Sequence, residues 1–143
     1  MTTARLGRLI SRMYECLFSV SAVRASLSAR IAAMSTISAE LEQWKESLPK
    51  HFDPSQPFRP SHFRKPYALN MAIQLRLIYY SLSISICRLR IHVTPNERNQ
   101  GTNLQLMEAA RTIIYLSRFI DHEPHVPTWY EHRSTSPYEL DPS

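Results

Sequence analysis

Leu41-Glu42-Gln43-Trp44-Lys45-Glu46-Ser47-Leu48-Pro49, followed after a proline-rich spacer by the apolar run of residues 69–91, is the stretch that decides the fold. In its first part Leu41, Trp44 and Leu48 recur at steps of three and four, which sets them on one side of a helix. Pro49 ends that helix, because proline disfavours helical backbone in the residue before it. In the second part Leu69, Ile73, Leu77, Tyr80, Ile84 and Ile91 form one stripe. Met71, Leu75, Ile78, Leu82, Ile86 and Leu89 form another. A helix apolar on two faces is central and covered by its neighbours. The isoleucines would suit a strand, but the length of the run favours a helix over residues 67–91.

Working outward, residues 4–18 carry Leu6, Leu9, Ile10, Met13, Tyr14, Leu17 and Phe18 at helical spacing, with an expected break at Ser19 to Ser21. Residues 23–48 continue with Leu27, Ile31 and Met34 leading into Leu41, Trp44 and Leu48. Ser35, Thr36 and Ser38 are poor helix formers and leave room for a local interruption. Residues 49–66 hold Pro49, Pro54, Pro57, Pro60 and Pro66 and read as a partly stiff loop. Phe52, Phe58 and Phe63 are expected to pin it onto the core. Beyond the turn at Thr94-Pro95-Asn96, Thr102-x-x-Gln105 reads as a capping box opening a further helix. Its buried face is Leu106, Ala109, Ala110, Ile113, Leu116 and Ile120, and Pro124 and Pro127 end it. Residues 130–143 read as a polar tail.

At 143 residues, 43% of them hydrophobic, the chain suits one domain of modest core. Two glycines argue against hairpin-rich architecture, whose tight turns need positive φ. The fold class is therefore all-α, a bundle of about four to five helices.

Net charge is +5, but the arginines are scattered, and solvated helix faces account for them better than a nucleic-acid surface. Arg76, Arg88 and Arg90 flank the apolar helix; Arg76 reads as a snorkelling side chain, stem packed and head wet. Cys16 and Cys87 are too few for a disulfide framework or a metal knuckle and are expected to pack as small hydrophobes. His122, His125 and His132 are the one histidine cluster, and Pro124 breaks any helical presentation of it. Neither glycine sits in a phosphate-binding loop, and no nucleophile elbow occurs. No catalytic, cofactor-binding or metal-binding residue is assigned, and the expectation is a non-enzyme. The apolar run at residues 77–87 is too short for a membrane span, which needs roughly 20 residues.

Before Glu40 the acid is Glu15 alone, against Arg5, Arg8, Arg12, Arg24 and Arg30. That composition resembles an organellar transit peptide. The alternative function is accordingly a small helical accessory protein of a mitochondrion. The continuing apolar spacing favours an ordinary amphipathic helix instead.

The order of these elements resembles the regulatory, or middle homology, domain of fungal zinc-cluster transcription factors. Four motifs carry the resemblance: Leu41–x2–Trp44–x3–Leu48–Pro49; the helix from Tyr79-Tyr80 to Cys87-Arg88; Glu108-Ala109-Ala110-Arg111-Thr112-Ile113-Ile114; and Pro127-Thr128-Trp129. The family's Arg-Pro pair is Arg88-Leu89 here, which extends the helix to about Ile91. The resemblance implies a partial regulatory domain over residues 1–129, proline-rich loop 49–66 included, that is nuclear and regulates transcription. It also implies that DNA is met only indirectly, through a cysteine-rich zinc cluster and its zinc that this two-cysteine chain lacks. The implied partners are another protein, further helices of the same domain, or a second copy in a homodimer.

Overall fold

Serines punctuate the N-terminal third of the chain. In a computed structural model, which describes residues 2–96 and 99–120, helix α1 (Thr2–Met13) runs into a π-helical turn, Tyr14–Phe18. Leu6, Leu9, Met13 and Leu17, at steps of three and four, are buried along one side of this segment. Ser19, with extended backbone, stops the turn where the sequence suggests a break. Its hydroxyl donates to Glu15 O at 2.6 Å and accepts from Ala22 N at 3.2 Å, closing one helix and capping the next. Helix α2 (Val20–Arg24) is short. Ser26 repeats the device: its hydroxyl accepts from Ala29 N at 3.3 Å and opens α3 (Leu27–Glu46). This second break places Leu27 in the first turn, 56% exposed, and not in the apolar stripe expected of it.

Helix α3 runs through Ser35 and Thr36 without the local interruption these residues would allow. Their hydroxyls donate to the carbonyls of Ile31 and Ala32, four residues back, at 3.1 and 3.0 Å, so neither side chain competes for the helical backbone. Met34, Ile37, Leu41, Trp44 and Leu48 are buried.

After the proline-rich segment, which contains a 3₁₀ turn at Pro60–His62, helix α4 (Pro66–Val93) begins with Pro66 in its first turn. Its 28 residues span about 42 Å at the usual helical rise. Helix α5 (Gln100–Ser117) starts three residues earlier than the capping box suggests. Thr102 lies inside the first turn, Asn99 holds the cap position without a side-chain cap bond, and Gln105 instead accepts from Cys87 Sγ at 3.6 Å. Asn99 Nδ2 donates to Thr94 O at 2.9 Å and ties the two ends of the connection together.

The architecture is all-α, with no strand among the described residues. Helix α4 packs against both α3 and α5, and α1 packs against α3. One apolar cluster joins Leu6, Leu9, Met13 and Leu17 to the α3 residues and to Leu75, Tyr79 and Ile86 of α4. On its other side α4 buries Ala72, Ile73 and Cys87, while α5 buries Ala109 and Leu116. The central position expected for the two-faced helix is thus observed. Pro124, Pro127-Thr128-Trp129, the histidine cluster and the tail lie outside the described residues.

Candidate functional site

Tyr79 and Tyr80, adjacent on α4, hydrogen-bond in two directions. Tyr79 Oη donates to Glu42 Oε1 of α3 at 2.6 Å. Lys45 pairs with the same carboxylate and sits over the Tyr79 ring, 5.5 Å from its centroid. Burial, then the Glu42 hydrogen bond and charge, push the Tyr79 phenol well above its ordinary value. Tyr80 Oη donates to Pro54 O of the proline-rich segment at 3.0 Å, and burial raises its pKa as well.

One turn back, Arg76 departs from the snorkelling expected of it. The residue is 2% exposed and its head is not in water. Nη1 donates to His51 O and Phe52 O at 3.4 and 3.5 Å, and Nη2 to Asp53 O and Gln56 O at 2.8 and 3.5 Å. Its guanidinium lies over the Phe58 ring, 5.2 Å from the centroid. The physical reason is position: Arg76 sits between Ile73 and Tyr80, deep within a covered helix, where the side chain cannot reach either end. The loop's carbonyls come to it instead. Desolvation lowers the guanidinium pKa, partly opposed by Tyr80 and the nearby Asp53 carboxylate. Nε is buried without a hydrogen-bond partner among the described residues.

The loop phenylalanines behave as expected. Phe52 packs against the core cluster. Phe63 lies 5.8 Å from Phe52 and 6.1 Å from Phe58, and Phe58 meets Phe119 edge-on at 5.2 Å, all between ring centroids. This chain of rings ties the loop to the end of α5.

Two of the cavities among the described residues are lined by several arginines or other basic groups. One, about 610 Å³, lies between α1 and α3 and is lined by Arg5, Arg8, Trp44 and the Arg12–Glu40 ion pair at 2.8 Å. The other, about 430 Å³, is a half-open recess in the proline-rich segment and has Arg76 among its lining residues. Leu104, Met107, Ile114 and Tyr115 of α5 are exposed, on the side opposite the buried Ala109 and Leu116. Arg88 is exposed.

Among the described residues no group of three or more potential metal ligands occurs, and no helix is long and apolar enough to cross a membrane. Tyr79 and Tyr80 open one of the motifs read from the sequence, whereas the Arg76 cluster belongs to none. The signal that could have found Arg76 is an arginine at the middle of a helix apolar on two faces.

The chain is similar to two curated fungal proteins, each described as an ABC-transporter-regulating transcription factor. It is 27% identical to the Aspergillus oryzae protein over 146 residues, covering 90% of this chain and 16% of that protein. To the Aspergillus fumigatus protein it is 30% identical over 88 residues, covering 62% of this chain and 10% of that protein. The chain thus spans less than a fifth of the length of either relative. No protein-family model matches it. No solved structure matches it. The similarity is to fungal regulators of transcription, and neither relative is described as an enzyme.

Proposed function

We propose that this chain is a helical regulatory and interaction module of a fungal transcription factor, part of the middle homology domain of a zinc-cluster regulator. The observation that carries the proposal is the similarity to a fungal transcription factor over 90% of the chain. The exposed apolar side of α5 supports it: Leu104, Met107 and Ile114 are 63, 50 and 65% exposed at helical spacing, a surface suited to a partner helix. In this reading the module acts in the nucleus by packing, with no catalytic step. Its contact with DNA comes through the zinc cluster of a regulator. The relatives' description suggests genes of ABC transporters as the targets.

The test is to tether the whole chain to a heterologous DNA-binding domain upstream of a reporter in a fungal host. Reporter output is expected to change, and the double variant Met107→Asp, Ile114→Asp is expected to abolish the change while the helical circular dichroism persists. The untethered chain is expected in the nucleus. Reporter output indifferent to the chain, or import into mitochondria, would overturn the reading.

A further inference from the structure

The cavity in the proline-rich segment carries positive charge beyond what holding the loop requires. Its walls include Lys50, His51, Arg59 and His62 around Phe63, with Arg76 at the buried side and no carboxylate among the lining residues. Lys50, His51, Arg59 and His62 are exposed, and among the described residues no carboxylate forms an ion pair with Lys50, Arg59 or Arg76. The carboxylate of Asp53 acts on Arg76 electrostatically without ion-pair contact; its Oδ1 accepts from Ser55 N at 2.8 Å. A buried cation held by carbonyl dipoles, with Nε unpartnered, sits in a field that a bound anion would relieve. The α1/α3 cavity differs: Glu40 pairs with Arg12 there, and its three arginines are all exposed, so it holds no buried cation.

We propose that this cavity binds the anionic group, phosphate or carboxylate, of a small molecule whose apolar part lies against Phe63 and Pro57. A volume of about 430 Å³ falls within the range of small-ligand sites. Lys50 and Arg59 meet the anion from the open side, and Arg76 supplies a fixed positive potential from below. The proposal is independent of the transcriptional reading.

The test uses the ¹⁵N-labelled full chain, titrated at constant ionic strength with inorganic phosphate and, separately, succinate, against a sodium chloride control. Saturable shifts are expected for the amides of residues 50–63 and for the Arg76 Nε–H. A response to phosphate alone identifies a phosphoester as the ligand class, and one to succinate alone a carboxylate; either supports the site. Lys50→Gln and Arg59→Gln should each weaken binding about tenfold, with the remaining spectrum unchanged, and Arg8→Gln should leave it as it was. Shifts that merely follow those with chloride, or equal weakening by Arg8→Gln, would overturn the proposal.

Discussion

The seam between α3 and α4 and the proline-rich segment lie side by side, yet different forces hold them. The seam is apolar contact: Met34, Ile37, Leu41 and Trp44 against Leu75, Tyr79 and Ile86, all 9% exposed or less. The segment has few buried apolar side chains of its own and is held by polar bonds from α4 and by the chain of phenylalanine rings. Apolar burial is non-directional and tolerates small shifts, whereas a buried guanidinium requires its acceptors in place. The comparison therefore predicts that damage to the seam unfolds the molecule, while damage to the clamp first releases the segment.

Trp44→Ala gives the largest effect. It removes a ring 5% exposed in the seam and should cost about 3–5 kcal/mol in a denaturant melt. A loss under about 1 kcal/mol would place Trp44 outside the stabilising core. Arg76→Ala should cost about 2–3 kcal/mol, the scale of losing hydrogen bonds to a charged group, with faster amide exchange confined to the segment. Arg76→Lys should rescue little, since an ammonium cannot reproduce the planar fork. Equal exchange throughout the protein would erase the distinction between the two regions.

The neighbouring tyrosines sharpen the comparison, because one serves each region. Tyr79→Phe should cost about 1–1.5 kcal/mol through the lost bond to Glu42. It should also change the pH profile. The folded Tyr79 phenol titrates above its unfolded value of about 10. Its contribution is therefore complete below that pH and is lost as pH rises from there toward the folded value. The phenylalanine variant should lose less stability above pH 10 than the parent, and parallel curves would contradict the assignment. Tyr80→Phe is the smallest effect, about 1 kcal/mol or less, visible as exchange near Pro54 and not in the seam.

The same contrast explains what could be read from the sequence. The seam follows from periodicity: steps of three and four placed Leu41, Trp44 and Leu48 correctly, and the two stripes of α4 marked it as the central helix. The clamp is written in no period. Arg76 alone looks like any cation beside an apolar run, and its acceptors are main-chain carbonyls 20 to 25 residues away, which no side-chain pattern announces. Local rules misled in two places. Ser35 and Thr36 bond back to their own helix and leave it intact. Thr102 has the spacing of a cap, but the helix had already begun. The exposed apolar face of α5 belongs to no stripe read from the sequence, and Ile120, expected in the buried stripe, lies past the helix end and is 42% exposed.

Every acceptor that Arg76 and Tyr80 use in the segment is a backbone carbonyl: those of His51, Phe52, Asp53, Pro54 and Gln56. Every amino acid, proline included, supplies one. The hydrogen-bonded part of the attachment is therefore blind to side-chain identity and sensitive to chain length. Point changes at His51, Asp53, Pro54 and Gln56 leave these acceptors in place, while Phe52 is held as well by its ring contacts. Inserting or deleting a single residue between positions 51 and 56 would shift the carbonyls out of reach and undo the attachment at once.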